Sequence, residues 1–318
     1  MISQEQLFRT KVEVPEWENP ISVTDHVVFL GSCFAQHMGE RFQSFGLSSV
    51  CNPLGVLYNP ESIRLQVHAA LHADEADVPV FKAEKEWRSW WAGTLISGKS
   101  EQECRTVVKG ALQMLRLSLL SADWLFLTLG TSVCYRLQDN GEVVANCHKK
   151  PHNLFREDWL SLTACADVLS ALVEELHQEN PRVKIVFTVS PFRYVKYGFH
   201  GNQVAKSTLI MAVEEVMRKY PARVSYFPAY EVVLDELRDY RFYAEDMLHP
   251  SAVAVDYIWQ RLVQSAMSPA MQDYLQEYAP VRSGLFHKPA NPQSEAYRRF
   301  LVNLEEKARQ IRVKYKLE

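Results

Sequence analysis

The chain has 318 residues, of which 47% are hydrophobic and 23% are charged, a composition typical of a globular protein in water. Its net charge of -3 excludes the strongly basic surface that nucleic acid or an anionic membrane would attract. No apolar run is long enough to span a membrane, and the N-terminus carries no apolar signal-peptide core. We therefore expect neither a nucleic-acid partner nor a membrane span.

The six cysteines are widely scattered along the chain and form no CxxC pair. This spacing does not resemble the compact disulfide framework of a small secreted domain. A reducing compartment suits such a pattern, so we expect a cytoplasmic location.

The first predicted unit is a strand followed directly by a helix. Val27 to Leu30 form an apolar run that predicts a buried strand, and Gly31 marks a tight turn or a close approach. Ser32 and Cys33 come next, at the start of a predicted helix. A helix N-terminus favours an anion and lowers the pKa of a thiol. The apolar stripe of this helix is Phe34, Met38, Phe42 and Phe45.

The same alternation of apolar run and amphipathic helix continues along the chain. Further buried strands are predicted over 123–129, 183–189 and 224–227, and a hairpin over 133–137 and 142–146. Strands that alternate with helices predict a parallel sheet covered by helices on both faces, with ligands at the carboxyl ends of the strands. The predicted helices after the first cover 61–73, 101–120, 157–177, 203–217, 252–267 and 295–316.

The proline-rich segment 268–292 is the best candidate for a domain boundary. We therefore predict an α/β domain with an N-terminal lead-in over 1–267. The remaining residues, 268–318, are predicted to be a helical C-terminal extension, because they are too few for a second domain.

Several short blocks of the sequence resemble a known family. They are GSCFA at 31–35, NPLGVLYNP at 52–60, LGTS at 129–132, TVSP at 188–191, HGN at 200–202 and DMLHP at 246–250. In these blocks the chain is similar to the GSCFA-domain family, which is related to the SGNH (GDSL-type) hydrolases. This resemblance implies a three-layer α/β/α fold of SGNH-hydrolase type, which is flavodoxin-like, with a parallel sheet.

The resemblance places a nucleophile directly after the first strand. When the Gly-Asp-Ser block of SGNH enzymes is laid over Gly31-Ser32-Cys33, the attacking serine falls on Cys33 and the aspartate on Ser32. A thiol is intrinsically the better nucleophile, so we prefer Cys33 and keep Ser32 as the alternative. A buried cysteine without a catalytic role is the other interpretation.

The general base is predicted near the C-terminal end of the α/β domain. Asp246 and His249 match the Asp-x-x-His block of SGNH enzymes, in which the histidine activates the nucleophile and the aspartate orients the imidazole. The alternative is an aspartate that caps a helix and a histidine exposed to solvent.

An acyl-transfer site also needs donors for the oxyanion of the transition state. The backbone N–H of Cys33 is one candidate. The resemblance suggests a second group and a third, although Ser132 stands where SGNH enzymes have an asparagine. The candidates from these groups are Gly55, Asn52, Gly130, Thr131 and Ser132.

Other polar residues are candidates for substrate binding. His148 and Lys149 follow the predicted hairpin and could bind a carboxylate or a phosphate. Arg193, His200 and Asn202 follow the third strand, at the edge where ligands bind. An ordinary polar loop is the competing interpretation of all five residues.

Two histidine pairs have a spacing that suits a metal, His148 with His152 and His68 with His72. Neither has further ligands at a useful spacing in the sequence. We therefore predict no metal and no cofactor, and we interpret His68 and His72 as surface residues.

The predicted function is an esterase or acyltransferase that acts on an O-acyl group of a small molecule or carbohydrate, with Cys33 (or Ser32), His249 and Asp246 as its catalytic residues. A non-catalytic binding or scaffolding protein on an SGNH-type fold is the alternative. A third hypothesis, metal-dependent hydrolysis, would require bound zinc. The sequence does not determine the oligomeric state.

Overall fold

The computed structural model describes residues 10–72, 78–289 and 291–317. The start of the predicted lead-in, 1–9, and the last residue of the predicted helix 61–73 lie outside these ranges. The elements are, in chain order, β1 (Val27–Gly31), α1 (Cys33–Ser44), β2 (Ser49–Cys51), α2 (Pro60–His72), β3 (Val80–Lys82), β4 (Trp87–Ser89), β5 (Ser97–Gly98), α3 (Glu101–Ser121), β6 (Trp124–Leu129), β7 (Val133–Leu137), β8 (Val143–Val144), β9 (Phe155–Trp159), α4 (Leu162–Glu179), β10 (Lys184–Val189), α5 (Gly198–Lys219), β11 (Val224–Tyr226), α6 (Ala229–Glu231), α7 (Ala252–Ala266), α8 (Pro269–Leu285) and α9 (Glu295–Lys314).

The central sheet is parallel throughout. Within the described residues it has five strands in the order β2-β1-β6-β10-β11. Counted along the chain within this sheet, the order is 2-1-3-4-5, which is that of flavodoxin-like folds. Gly31 pairs with Thr128 at the end of β1, so β1 and β6 finish at the same edge.

Helices cover both faces of the sheet, as the alternating side chains of β1 show. Val28 and Leu30 belong to the apolar core that α2, α3, α4 and α5 share. Val27 and Phe29 point the other way, into the core formed with α1, α7, α8 and α9. The predicted three-layer α/β/α class is therefore confirmed.

The C-terminal helices pack on the α1 side of the sheet. Tyr274 of α8 is fully buried, and its hydroxyl donates a hydrogen bond of 2.6 Å to the carbonyl of Phe45. Helix α8 occupies most of the segment 268–292, in which the sequence predicts a domain boundary. Pro269 is tolerated at the first turn of α8, where an N–H group has no helical partner. The division between residues 267 and 268 stays a prediction.

A second difference lies before α4. The sequence predicts a helix from residue 157, but Phe155–Trp159 forms β9, which pairs with β7. Helix α4 begins only at Leu162, where the Ser161 side chain accepts a hydrogen bond from the Ala164 N–H. The predicted hairpin is confirmed, with Tyr135 of β7 opposite Val144 of β8.

Each helix in the described part of the chain is too short or too polar to cross a lipid bilayer.

Candidate functional site

A cavity of about 610 Å³ opens at the carboxyl edge of the central sheet. Residues that follow β1, β6 and β10 contribute to its wall, as the parallel topology predicts. The loop before α7 adds His249. The residues from these four segments that line the cavity include Ser32, Cys33, Gly130, Thr131, Ser190 and His249.

Gly31 makes the close approach that brings the start of α1 to this edge. Its φ is +123°, and a Cβ atom at this position would lie 2.1 Å from the Thr128 carbonyl oxygen. Only glycine tolerates both conditions. The next residue, Ser32, donates its backbone N–H to the same carbonyl at 3.1 Å. The turn therefore fixes Ser32 and Cys33 at the cavity.

Ser32 and Cys33 occupy different environments, although both line the cavity. Ser32 is 1% exposed, and its hydroxyl oxygen caps α1 by accepting a hydrogen bond of 3.2 Å from the Phe34 N–H. Cys33 is half-buried and is the first residue of α1. The serine hydroxyl thus caps the helix, and the thiol is the less constrained of the two candidate nucleophiles.

Burial dominates the ionisation of Cys33. Desolvation raises the pKa of its thiol, while Lys206 and the backbone N–H groups of Cys33 and Phe34 act in the opposite direction. The expectation that a helix start would lower this pKa is therefore wrong, because the loss of hydration outweighs the helix terminus. A base is needed to take the thiol proton.

Asp246 and His249 form a hydrogen-bonded pair. The His249 ring donates from Nδ1 to Asp246 Oδ2 at 2.6 Å, and Asp246 Oδ1 accepts the backbone N–H groups of Leu248 and His249 at 2.9 and 3.0 Å. These hydrogen bonds lower the pKa of Asp246 to about 2, the His249 N–H being the largest cause. A carboxylate only accepts, so Nδ1 carries the ring proton and Nε2 is left as the basic nitrogen.

The 246–249 loop is held against the segment that follows β10. The Arg193 N–H donates to the Leu248 carbonyl at 3.0 Å, and the Arg193 guanidinium donates to the Met247 carbonyl at 3.2 Å. The Phe192 ring packs on the His249 ring with centroids 4.3 Å apart. Arg193 lines a second cavity, of about 410 Å³, rather than the one that contains Cys33. It therefore supports the position of His249.

The predicted oxyanion donors that follow β6 differ in their access to the cavity. Gly130 and Thr131 line the cavity, but both of their backbone N–H groups donate to the Tyr58 carbonyl, at 2.6 and 2.8 Å. Ser132 is buried and is not part of the lining. The backbone of this segment is thus already paired.

Asn52 and Gly55 stand behind the cavity wall. The Asn52 side chain accepts the Gly31 N–H at 2.9 Å and donates to Gln36 at 3.3 Å. Gly55 has a φ of +91°, and its N–H donates to the Asn52 carbonyl at 2.8 Å. Neither residue lines the cavity, so their observed contribution is to the turn at Gly31.

Asn59 lines the cavity and is not among the residues that sequence reasoning selected. Its amide oxygen accepts two hydrogen bonds from Ser62, at 2.8 Å from the backbone N–H and 3.0 Å from the hydroxyl. The NH₂ group is the part of this side chain that remains for the cavity. Asn59 directly precedes Pro60, the first residue of α2, and belongs to the NPLGVLYNP block at 52–60.

Lys206 is the second residue that sequence reasoning missed. It lies on α5, is 1% exposed, and donates from Nζ to the Ser190 carbonyl at 2.7 Å. Burial lowers its pKa to about 7, and Cys33 acts in the opposite direction. The available signal was periodicity, because Lys206 falls on the buried stripe of its helix. The other members of that stripe are Asn202, Leu209, Val213 and Val216.

His148 and Lys149 do not reach the cavity. His148 is buried, and its Nε2 lies 2.9 Å from the Ser89 carbonyl, to which it donates. Burial lowers the pKa of His148 to about 4, so the ring is neutral at pH 7 and does not attract an anion. Lys149 is exposed. The placement therefore corrects the expectation that this pair binds an anionic substrate group.

His200 and Asn202 also lie away from the Cys33 cavity. His200 is exposed on the first turn of α5. Asn202 is buried, and its side-chain oxygen accepts the Tyr194 N–H at 2.9 Å. It lines the second cavity together with Arg193. Of the candidates after β10, none is in the wall that contains Cys33.

His68 and His72 share a polar partner that the sequence did not suggest. Glu175 of α4 accepts from His68 Nδ1 at 2.6 Å and from His72 Nε2 at 3.0 Å. These donor and acceptor atoms lie within 4.8 Å of one another, in a group we call the α2–α4 cluster. The expectation that this pair lacks a further ligand is wrong, because Glu175 comes from another helix. None of the three residues lines the Cys33 cavity.

The fold and the site together define a three-layer α/β protein with a cysteine and a histidine–aspartate pair at the carboxyl edge of a flavodoxin-like sheet. The chain belongs to the GSCFA family, whose model matches residues 26–262. The model of the C-terminal domain of GSCFA domain proteins matches residues 279–317. No curated protein matches the chain in sequence.

Solved structures of two esterases are similar to the chain at low identity. An acetyl xylan esterase from the rumen bacterium Butyrivibrio proteoclasticus is 10% identical, with a TM-score of 0.38, over 82% of this chain and 66% of that one. A family two carbohydrate esterase from Clostridium thermocellum, in complex with cellohexaose, is 11% identical, with a TM-score of 0.39, over 77% and 64%. The chain thus spans slightly less than two thirds of each esterase.

Proposed function

We propose that the protein is an esterase or acyltransferase that acts on O-acyl groups through Cys33, His249 and Asp246. One observation carries this proposal: the histidine that is hydrogen-bonded to Asp246 lines the same cavity as the Cys33 thiol. Nucleophile, base and orienting carboxylate are the three groups that acyl transfer requires.

In the proposed reaction, His249 Nε2 takes the thiol proton as Cys33 Sγ attacks the acyl carbonyl carbon. The tetrahedral intermediate collapses to a thioester, and the alcohol leaves with the proton that His249 returns to its oxygen. Water or an acceptor hydroxyl then attacks the thioester, again with His249 as the base. Asp246 holds the Nδ1 proton in both half-reactions, so that Nε2 always faces the reacting atoms.

For the oxyanion we propose the Cys33 N–H and the Asn59 NH₂ group as donors. The Asn59 amide is pre-oriented by its two hydrogen bonds from Ser62, which suits a donor that must not reorganise during the reaction. This assignment replaces the predicted donors at Gly130 and Thr131, whose N–H groups are paired with Tyr58.

For the substrate we propose an acylated carbohydrate. The cavity is walled by aromatic side chains, on which sugar rings can stack, with few polar groups between them. The aromatic residues of the wall are Tyr58, Tyr135, Phe192 and Tyr194. All six cysteines are free thiols, so we propose that the protein is in a reducing compartment, the cytoplasm.

A non-catalytic binding protein is the second candidate. The observation that favours it is the raised pKa of Cys33, which burial causes and which keeps the resting thiol protonated. On this view the cavity binds the acylated sugar without cleaving its ester.

The test is to incubate the protein with p-nitrophenyl acetate and with O-acetylated xylo-oligosaccharides, and to map any acyl-enzyme by peptide mass spectrometry. We expect a thioester on Cys33, its complete loss in Cys33→Ala, and partial activity in Cys33→Ser. Ser32→Ala should remain active with small losses in positioning. Activity in Cys33→Ala combined with an inactive Ser32→Ala would move the nucleophile to Ser32. Unchanged activity in both variants, or none in the wild type on any ester, would favour the binding protein.

A further inference from the structure

Lys206 is a lysine in the interior of the protein. It is among the largest fully buried side chains, and it occupies a position on α5 that an apolar residue would ordinarily fill. Its amine donates to the Ser190 carbonyl at 2.7 Å and lies 5.6 Å from the centre of the Tyr230 ring. Among the described residues, no carboxylate lies within ion-pair distance of this amine.

Such a placement is energetically costly. An ammonium group that is removed from water without a counter-ion loses several kcal/mol of hydration. One carbonyl and one aromatic ring compensate only part of that loss. A buried lysine without a carboxylate therefore indicates either a neutral amine or an anion that forms nearby during function.

Cys33 is the group that can provide this anion. Ser190, which binds the amine, lines the same cavity as Cys33. Lys206 and Cys33 are close enough that each charge shifts the pKa of the other, although burial is the larger cause for both. The other charged group that acts on Cys33 is Asp246, which disfavours the thiolate. Lys206 is thus a side-chain cation that acts on this thiol.

We propose that Lys206 is a positioning residue whose buried ammonium stabilises the Cys33 thiolate when His249 removes the thiol proton. The role of that thiolate in catalysis rests on the proposed function, but the pairing of Lys206 with Cys33 does not. When the sulfur attacks the carbonyl carbon, it loses its negative charge. Cleavage of the thioester regenerates the thiolate, which again pairs with the Lys206 ammonium. The lysine itself forms no covalent bond.

The test measures Cys33 alkylation, which needs no substrate. Iodoacetamide rates at Cys33 are measured between pH 6 and 10 by peptide mass spectrometry in the wild type, Lys206→Met and Lys219→Met. Lys219 is on the same helix but is exposed and paired with Glu174, so its variant is the matched control. Cys147, which lines the same cavity, is the internal reference thiol.

We expect Lys206→Met to slow Cys33 alkylation at neutral pH about tenfold, which corresponds to a rise of about one unit in the thiol pKa. The ratio of the two rates should shrink toward the alkaline end of this range, because the ionised fraction of the thiol approaches saturation first in the wild type. Lys206→Arg, which keeps the charge, should recover most of the rate. Lys219→Met and the Cys147 rates should not change.

The proposal is overturned if Lys206→Met lowers the melting temperature but leaves the pH profile of Cys33 alkylation unchanged, because the lysine is then only structural. A rate that falls equally at all pH values has the same meaning. Lys206→Gln, which keeps a donor for the Ser190 carbonyl but has no charge, gives the same test if the methionine variant does not fold. A shifted profile in a protein that cleaves no ester would support the pairing and contradict the proposed function.

Discussion

His249 donates from Nδ1 to Asp246 at 2.6 Å, and His68 of α2 donates from Nδ1 to Glu175 of α4, also at 2.6 Å. The two hydrogen bonds are alike, but their surroundings differ. His249 lines a cavity with a thiol and an aromatic wall, whereas neither His68 nor His72 lines that cavity. The exposed fraction does not separate them, because the side chains of His249, His68 and His72 are 44%, 55% and 43% exposed.

The comparison shows that a histidine–carboxylate pair does not by itself make a site. Asp246 and His249 are three residues apart in one loop, so their hydrogen bond is local. The α2–α4 cluster joins residues 107 apart and ties two helices together. Of the two pairs, only the first has its histidine in the lining of a cavity that also contains a cysteine thiol, the candidate nucleophile that general-base catalysis would require.

The largest expected effect is a loss of rate that distinguishes His249 from the histidines of the α2–α4 cluster. His249→Ala should lower the rate of the proposed ester cleavage by about 10⁴- to 10⁶-fold, as removal of a triad histidine does, because the proposed base for the Cys33 proton is lost. His72→Ala, which removes a histidine of the α2–α4 cluster, should leave the rate unchanged. Initial rates with p-nitrophenyl acetate measure both. An equal loss in the two variants would mean that the comparison is wrong.

The reaction rates of variants at the two carboxylates, Asp246 and Glu175, should differ by nearly as much. Asp246→Asn should keep the fold but lower the rate by about four decades, because an amide can hold the wrong tautomer of the imidazole. Glu175→Gln is the matched control and should have the wild-type rate. The kinetics are measured alongside circular dichroism to confirm folding. A wild-type rate in Asp246→Asn would assign Asp246 to capping the loop.

For the free energy of unfolding we expect the α2–α4 cluster to matter more than the Asp246–His249 pair, with an effect smaller than those on the rate. The double variant His68→Ala/His72→Ala should lose about 1 kcal/mol or less in the free energy of unfolding, because the two rings are partly exposed. Urea denaturation with and without 0.5 M NaCl measures the loss and its screening. A loss of several kcal/mol would show that the α2–α4 cluster is a structural centre.

The smallest expected effect is the acid dependence of the Asp246 loop. The pKa of Asp246 is about 2 in the folded protein, below the ordinary value of 3.8. Its contribution is therefore present above pH 3.8 and is lost as the pH falls toward 2. The difference in melting temperature between the wild type and Asp246→Asn should narrow over this range. A difference that is constant from pH 7 to pH 2.5 would contradict the depressed pKa.

The sequence alone was sufficient for four strands of the central sheet, β1, β6, β10 and β11, for most of the helices, and for the two chemical blocks of the site. It did not predict β9 or α8. Apolar runs that end at Gly31 and Gly130 predict buried strands, and their alternation with helices predicts a parallel sheet. Both patterns can be recognised in the sequence because side-chain periodicity is a local property. Asp246 and His249 are three residues apart, so their pairing is also local. The family blocks placed Cys33 with them, and the structure puts Cys33 and His249 in one cavity.

Tertiary structure decided which polar residues face that cavity and how strongly burial changes them. His148 and Lys149 follow a hairpin whose residues line the cavity, but neither of the two lines it. Asn59, just before α2, lines the cavity, and Lys206 of α5 donates to the carbonyl of Ser190, which lines it. The pKa of Cys33 rises because desolvation depends on the whole surrounding shell, and not on the helix start that precedes it in the sequence. Burial is a sum over residues distant in the chain, and for this reason no local pattern predicted it.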